Sequence, residues 1–185
     1  MARLIVLLRG VNLAGRNRVS MPQLREALEE AGFEDVTTYV QSGNVVLSSS
    51  KSAKRVRSDV EHLLADRFDL DVSVIVRSRA ELARVVERDA LGRVAKNPKL
   101  YQVTFLESAP GAELMRKLEA AAAGRERVLS AGRELYAWHP DGVGRSKLAA
   151  LMAGKGLGVT ATARNWTTVT KLLELANEVP VKERG

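Results

Sequence analysis

Apolar residues in the first half of the chain follow two kinds of pattern, one typical of strands and one typical of helices. Five consecutive apolar residues at positions 4–8 are typical of a buried strand, whereas residues 54–68 carry apolar side chains at helical spacing. Ser20 and Gln23 form a capping-box pattern, and Gly32 follows the helix that they would begin. The predicted order is strand 4–8, helix 21–31, strands 36–41 and 44–49, helix 54–68 and strand 72–76. This βαββαβ order is ferredoxin-like.

A second set of elements follows residue 100 in a similar order. Before it, Ser78 and Glu81 form another capping box that opens a helix over residues 79–88, and residues 89–99 are predicted to be a linker. The second set comprises strand 101–106, helix 112–123, strands 128–130 and 134–138, and helix 145–152. The pattern does not define a last strand, and a further helix begins near residue 166.

The predicted fold class is α+β, with two ferredoxin-like halves that contain antiparallel sheets, followed by C-terminal helices. The predicted domains are a ferredoxin-like N-terminal half over residues 1–78, a helix and linker over 79–99, and a second ferredoxin-like half with C-terminal helices over 100–185. Because the strand at 4–8 is apolar at every position, we expect it to be covered on both faces. The second half or the helix at 79–88 is expected to supply the second cover.

The ferredoxin-like topology also brings two polar segments together. The loop after the first strand and the turn of the following hairpin lie at the same end of such a sheet. Residues 9–17 should therefore lie beside residues 41–44, where Ser42 and Gly43 give a tight-turn signal. Loops at one end of a rigid sheet commonly carry binding residues.

Composition limits the functional classes. The chain has 185 residues, 45% of them hydrophobic, and its longest apolar run is far shorter than a membrane span. It contains no cysteine, which excludes disulfides and thiolate chemistry and favours a cytoplasmic location. Its net charge of +7 favours a polyanionic partner, although charges of both signs are interleaved as on an ordinary solvated surface. No membrane partner is expected, and the oligomeric state is left open.

Four segments of the chain resemble the motifs of a known family. They are residues 7–12 (Leu-Leu-Arg-Gly-Val-Asn), 38–45 (Thr-Tyr-Val-Gln-Ser-Gly-Asn-Val), 142–148 (Gly-Val-Gly-Arg-Ser-Lys-Leu) and 162–169 (Thr-Ala-Arg-Asn-Trp-Thr-Thr-Val). The chain is therefore similar to the DUF1697 family, whose function is unknown. One departure is Ala14-Gly15, where the family typically has two glycines. The resemblance implies a ferredoxin-like α/β fold over nearly the whole chain, and it implies no established activity, substrate or cofactor.

The strongest candidate for an anion-binding segment is residues 162–171. Asn165 is a typical N-cap, and apolar residues from Trp166 onward recur at helical spacing. A helix start carries free N–H groups and a partial positive charge, which Arg164 and Lys171 would reinforce. A purely structural role is the competing interpretation, in which Trp166 anchors the core, Asn165 caps the helix, and the two cations are solvated.

Three other segments add candidate side chains for an anion. The segment after the first strand contains Arg9, whose guanidinium suits a carboxylate or phosphate. The hairpin contains Gln41. The third segment contains Lys147, which lies at a second helix start but lacks the preceding glycine of a P-loop. Turn or cap geometry explains most of these residues equally well. The candidate ligand-binding residues, which are polar, basic or aromatic, are Arg9, Asn12, Gln41, Ser42, Asn44, Arg145, Ser146, Lys147, Arg164, Asn165, Trp166 and Lys171.

No catalytic constellation is recognisable in the sequence. The two histidines, His62 and His139, have no partner at a spacing typical of a metal site, and there is no nucleophile elbow. We therefore expect no metal and no cofactor, and the question of catalysis is left open.

The leading hypothesis is that the chain binds an anionic ligand in a cleft lined by these polar motifs. The ligand would be a nucleotide, a phosphorylated metabolite or the phosphate of a nucleic acid. A second hypothesis is an RNA- or DNA-binding module with a distributed basic surface, although the strand at 4–8 lacks the aromatic residues on which RNA-recognition sheets stack bases. An enzyme is the third hypothesis, and a scaffold without a ligand is the fourth.

Overall fold

The computed structural model describes residues 1–153 and 155–178, so Gly154 and residues 179–185 of the predicted second half lie outside the described part. Within that part, eight strands and six helices alternate. They are β1 (Ala2–Leu8), α1 (Met21–Glu30), β2 (Glu34–Tyr39), β3 (Asn44–Ser49), α2 (Ala53–Phe68), β4 (Val74–Ser78), α3 (Arg79–Arg88), β5 (Tyr101–Leu106), α4 (Ala112–Ala121), β6 (Arg127–Ala131), β7 (Glu134–Trp138), α5 (Lys147–Ala153), β8 (Ala161–Asn165) and α6 (Trp166–Asn177). A short 3-10 helix at Lys155–Leu157 precedes β8.

The two halves repeat one topology. Each contains a four-stranded antiparallel sheet, in the order β2-β3-β1-β4 for the first and β6-β7-β5-β8 for the second. In each sheet the first strand lies inside, between the third and fourth strands of its half. The fold is therefore α+β with two ferredoxin-like halves, which confirms the predicted fold class.

Strand β1 of the first sheet is buried on both faces. One face of β1, formed by Leu4, Val6 and Leu8, packs into a core with residues of α1 and α2. On the other face Ile5 and Leu7 are fully buried as well. This confirms that the uninterrupted apolar run marks a strand without a solvated face.

The second sheet packs one face against its own helices. Leu106 of β5 and Leu135 of β7 share a core with Leu118 of α4 and Leu148 of α5. The other face carries Tyr101, Phe105 and Tyr136, which are also buried. Aromatic residues on alternate positions of these strands are therefore core residues and form no exposed stacking platform.

Strand β8 is the element that the sequence pattern left undefined. Its residues, Ala-Thr-Ala-Arg-Asn, contain no apolar run, but they pair with β5 from Leu106↔Ala161 to Gln102↔Asn165. Residues 162–165, which were expected to be the approach to a helix, are thus an edge strand. Asn165 ends that strand, and α6 begins at the next residue.

Several other boundaries also differ from the predictions: β2 begins earlier, α4 ends earlier and α5 begins later than expected, and the hairpin and β4 differ as well. Tyr39 pairs with Asn44, so the hairpin between β2 and β3 has a four-residue loop and no two-residue turn at Ser42-Gly43. The next residue, Val40, takes a left-handed backbone conformation. Strand β4 begins two residues later than predicted because its first residue, Val74, pairs with Leu8, which is the last residue of β1.

The predicted helix starts are observed with their caps. The Ser20 hydroxyl accepts from the Gln23 N–H at 3.5 Å. At the start of α3 the capping box is complete, because the Ser78 N–H donates to Glu81 Oε2 at 2.7 Å and the Glu81 N–H donates to Ser78 Oγ at 3.2 Å. No helix in the described residues is long and apolar enough to cross a membrane.

The described chain divides into two compact units. The first comprises Met1–Arg84 and the described residues from Lys171 onward, and the second comprises Val85–Thr170. The end of α6 is held within the first unit, where Arg3 Nη2 donates to the Leu175 carbonyl at 3.5 Å and Arg79 Nη1 donates to Asn177 Oδ1 at 2.8 Å.

Replacement of Gly43 by alanine is expected to destabilise the first unit. Gly43 has φ +73°, and an added Cβ would lie 2.5 Å from Val11 Cγ2 and 2.7 Å from Leu8 Cβ. We expect Gly43→Ala to lower the free energy of unfolding by about 2–4 kcal/mol, measured by urea denaturation. Gly32→Ala is the matched control, because Gly32 has φ +85° with nothing within 4 Å of an added Cβ. Equal losses in the two variants would show that the close contact carries no cost.

Candidate anion-binding site

The loop between β1 and α1 is folded back on itself. Leu13 and Arg16 form an isolated β-bridge, with the Arg16 N–H donating to the Leu13 carbonyl at 2.8 Å. The two residues between them, Ala14 and Gly15, both have positive φ. Asn17 closes the base of this turn, because its N–H₂ group donates to the Gly10 carbonyl at 3.0 Å. The loop is therefore ordered by its own hydrogen bonds.

Asn12 connects this loop to the β2–β3 hairpin. Its Nδ2 donates to the Gln41 carbonyl at 2.8 Å and to the Val19 carbonyl at 3.0 Å, and its Oδ1 accepts from the Val19 N–H at 2.9 Å. Asn12 also has φ +53°, a conformation that asparagine tolerates better than most residues. The two polar segments thus lie at one end of the first sheet, as predicted, and Asn12 is the side chain that holds them there.

The polar residues of the β2–β3 hairpin differ in burial. Asn44 is fully buried, and its Nδ2 donates to the Tyr39 carbonyl at 3.1 Å across the loop. Gln41 and Ser42 are exposed. The Leu8 N–H donates to the Gly43 carbonyl at 2.9 Å, which ties the turn to the end of β1. Asn44 therefore supports the turn, while Gln41 and Ser42 face solvent.

A surface cleft lies where the loop and the hairpin meet. Its volume is about 430 Å³, and it is lined by Asn12, Gly15, Arg18, Val19, Ser20 and Gln41. Two of these residues, Asn12 and Gln41, were predicted from the sequence. Arg18 and Ser20 were not, although the segment Arg16-Asn17-Arg18 just before an N-cap serine was a usable signal.

The surroundings of this cleft are strongly basic. The first 25 residues contain five arginines and no aspartate or glutamate. Arg16 and Arg18 are exposed and Arg9 is half-buried. Among the described residues, no carboxylate forms an ion pair with Arg9, Arg16 or Arg18. Within the described part of the chain, these three arginines therefore have no carboxylate counter-charge.

Arg164 in the second unit has a different environment. Its side chain is 8% exposed, and Nη1 donates to Thr162 Oγ1 at 2.7 Å and to the Ala163 carbonyl at 2.8 Å. Burial lowers the pKa of Arg164 to about 10. Its position on an edge strand, which the sequence pattern did not define, explains why a solvated or ligand-facing side chain was expected instead.

The remaining residues of the 162–171 segment have local partners. Asn165 caps α6 as predicted, accepting from the Thr168 N–H at 2.9 Å. Trp166 stacks on Tyr101 with ring centroids 4.7 Å apart. Lys171 donates to Glu174 at 2.7 Å, and this hydrogen bond raises the pKa of Lys171. These contacts match the purely structural interpretation of Trp166 and Asn165.

Ser146 in the second unit belongs to a small polar cluster. Its Oγ caps α5 by accepting from the Ala149 N–H at 2.9 Å, and it donates to Glu126 Oε1. The same carboxylate oxygen lies 2.8 Å from Nδ1 of His139, which is fully buried. Arg145 and Lys147, on either side of Ser146, are exposed.

This cluster does not have the arrangement of a nucleophilic triad. In a triad, one histidine nitrogen accepts the serine proton while the other is held by the acid. Here Ser146 and Glu126 both contact the Nδ1 side of His139, and the hydroxyl donates to the carboxylate. Nε2 of His139 has no hydrogen-bond partner among the described residues. Among those residues there is also no group of three or more side chains that could hold a metal ion.

The hydrogen bonds of the cluster determine the ionisation of Glu126. Burial by itself raises the pKa of Glu126, but the Ala123 N–H, His139 and Ser146 all hydrogen-bond to the carboxylate, and the net pKa lies below its ordinary value. The ionised carboxylate is therefore the form that the folded unit stabilises.

The predicted ligand-binding residues are divided between the two units. Arg9, Asn12, Gln41, Ser42, Asn44 and Lys171 lie in the first unit, and Arg145, Ser146, Lys147, Arg164, Asn165 and Trp166 lie in the second. Within the first unit, hydrogen bonds join the segments of Asn12 and Gln41 at the cleft. That cleft is therefore the candidate site.

Comparison with protein families assigns the chain. The model of a family described as "Protein of unknown function (DUF1697)" matches residues 1–136. The chain belongs to the DUF1697 family. The matched region includes the first two of the four motifs, at residues 7–12 and 38–45, which carry the candidate site. The other two motifs lie beyond it.

A solved structure shares the fold of this DUF1697 protein. It is described as the conserved bacterial protein SP0830 from Streptococcus pneumoniae, with a TM-score of 0.76 and 21% sequence identity. The similarity covers 95% of this chain and 99% of that chain. None of the curated proteins compared with the chain matches it. The comparisons thus establish family and fold.

Removal of the Asn12 side chain is expected to separate the loop from the hairpin. We compare Asn12→Gly with Asn17→Gly, because both asparagines have positive φ near 50° (53° and 48°) and both glycines avoid backbone strain. Asn12→Gly removes three hydrogen bonds and Asn17→Gly removes one. We expect Asn12→Gly to cost about 1–3 kcal/mol more in the free energy of unfolding, measured by urea denaturation. Equal costs would mean that Asn12 is not the main link.

Glu126 is expected to make stability depend on pH. Because its folded pKa is lowered from the ordinary 4.5, its ionised form adds stability that is fully present above that value and lost as the pH falls through the folded pKa. We expect Glu126→Gln to lower the free energy of unfolding by about 1–3 kcal/mol at about pH 7 and by much less at about pH 3. Glu119→Gln on α4 is the control, since Glu119 is exposed. A Glu126→Gln cost that does not change with pH would contradict the assignment.

Proposed function

We propose that this DUF1697 protein binds a small anionic ligand in the cleft of its first unit. The observation that carries the proposal is the exposed Arg18 guanidinium on the cleft lining, which has no carboxylate partner among the described residues. A guanidinium donates parallel hydrogen bonds that fit phosphate and carboxylate oxygens. The ligand class that fits best is a phosphorylated metabolite or a nucleotide.

Other groups of the cleft would orient such a ligand. Ser20 is the N-cap of α1, so the positive end of that helix faces the same region. Pro22 has no N–H, so the first turn of α1 offers one donor fewer to an anion. In this proposal Arg18 therefore supplies most of the attraction. Gln41 adds an exposed amide that can both donate and accept. Arg9 and Arg16 would raise the local concentration of anions.

The backbone of the cleft is suited to a fixed ligand geometry. Asn12 ties the loop to the hairpin through its hydrogen bond to the Gln41 carbonyl, and the loop is closed on itself by the bonds of Asn12 with Val19 and by Asn17. A lining that is ordered without ligand loses little conformational entropy on binding. The cysteine-free sequence is compatible with a cytoplasmic location, which we include in the proposal.

The phosphate backbone of a nucleic acid is the second candidate ligand. It is favoured by three arginines in one loop region that have no carboxylate partner among the described residues, since several cations suit a chain of phosphates. Binding of a single-stranded oligonucleotide would then weaken steeply with salt, with a logarithmic slope of about −0.7 for each phosphate contacted. A flat salt response would exclude this candidate.

Replacement of Arg18 is expected to remove anion binding. Inorganic phosphate is titrated against the protein by calorimetry and by thermal unfolding, where a ligand at 100 times its Kd adds about 2.7 kcal/mol of stability. Arg18→Gln should weaken phosphate binding by at least about tenfold, because a charge-assisted hydrogen bond is lost. Arg116→Gln, which removes an exposed arginine from α4, is the control for net charge. Equal affinity in Arg18→Gln and the wild type would contradict the proposal. A wild type that binds no phosphate, nucleotide or sugar phosphate would favour the scaffold without a ligand.

A further inference from the structure

Val40 occupies a backbone conformation that its side chain disfavours. Its φ is +48°, in the left-handed region where a β-branched residue is a genuine outlier. Gly43, later in the same loop, takes its positive φ without such a penalty. Asparagine or glycine at position 40 would serve the turn with less strain. The turn geometry therefore explains the positive φ at this position and does not explain the valine.

Burial within the protein does not explain the valine either. The side chain of Val40 is 49% exposed, so about half of its apolar surface remains in water. Strained residues persist where the surrounding structure or the function requires them. For Val40 the unexplained part is an exposed aliphatic group on a rigid turn.

The position of Val40 connects it to the cleft. Val40 directly precedes Gln41, which lines the cleft and whose carbonyl accepts from Asn12 Nδ2 at 2.8 Å. On the other side of this hydrogen bond, Leu13 directly follows Asn12 and is 60% exposed. The two segments that meet at the cleft thus each carry one exposed aliphatic residue next to the bond that joins them. Val19 is the apolar residue of the lining itself, and Val40 and Leu13 each adjoin a lining residue in sequence.

We infer that Val40, which adjoins the cleft lining, is a specificity-determining residue and contacts the apolar part of a ligand that extends out of the cleft. This inference rests on the proposed function, in which Arg18 binds the anionic group. The ligand class then narrows to phosphate monoesters that carry an aliphatic or aromatic body. Inorganic phosphate lacks such a body and should bind more weakly, because it leaves the aliphatic side chains in water.

The inference is tested by comparing phenyl phosphate with inorganic phosphate. Wild-type protein should bind phenyl phosphate at least about tenfold more tightly, which is the effect expected from burying a few CH₂-sized groups. Val40→Asn should bring the two affinities to within about threefold. Without ligand, the same variant should melt roughly 2–4 °C higher because strain is relieved. Val94→Asn is the matched control, since Val94 is 47% exposed in a turn of the second unit and has no positive φ.

The possible results separate this inference from the proposed function. An unchanged preference for phenyl phosphate in Val40→Asn would overturn the role of Val40, whatever its melting temperature. Equal wild-type affinities for the two ligands would also overturn it, while the Arg18-dependent binding of phosphate would still stand. If neither phosphate binds to wild-type protein, both the proposed function and the role of Val40 are overturned.

Discussion

The candidate site depends on one set of hydrogen bonds, those made by the side chain of Asn12. The loop after β1 and the β2–β3 hairpin are about 30 residues apart in sequence, and sheet topology alone brings them only to the same end of the sheet. The amide of Asn12 joins them through its bond to the Gln41 carbonyl, and its bonds with the Val19 carbonyl and N–H fix the amide within the loop. Both hydrogens of the amide nitrogen are used, which an aspartate in the same place could not provide. The shape of the cleft follows from this link.

The charge of the site comes from an imbalance in the N-terminal segment. Arg9, Arg16 and Arg18 lie before the first acidic residue of the chain, so local ion pairs along the sequence are not available to them. On the helices the opposite holds: Arg55 and Arg57 pair with carboxylates four residues later, at 2.9 and 3.1 Å. Such surface pairs add little stability, but they neutralise charge. The difference leaves the described part of the loop region with a positive charge that no nearby carboxylate neutralises.

The second unit shows how the same residue types can serve structure. Arg164, Asn165 and Trp166 form the motif that looked most like an anion site, yet they are buried, capping and stacked, respectively. Ser146 caps α5 and shares the Glu126 carboxylate with His139. Buried polar groups need hydrogen-bond partners, and several polar groups of these motifs form hydrogen bonds with other groups of the protein. Polar motifs at helix starts are therefore ambiguous until their hydrogen bonds are known.

The sequence by itself determined the elements and most of the fold. Apolar periodicity and capping residues located nearly every helix and strand, because these signals act over a few residues. The order of elements then predicted two ferredoxin-like halves and the meeting of the two polar loops. Strand β8 was not predicted because its own sequence has no strand pattern. It is a strand because it pairs with β5.

Only the tertiary structure decided which polar residues are available to a ligand. Arg164 was buried by the sheet in which β8 lies, whereas Arg18 and Ser20, which the motifs did not single out, line the cleft beside Gln41. Burial and hydrogen-bond pairing depend on residues distant in sequence, so local sequence patterns do not predict them. The strain at Val40 likewise comes from a turn whose geometry is set by the pairing of Tyr39 with Asn44. The sequence indicates which residue types can bind an anion, and long-range contacts determine which of them are accessible.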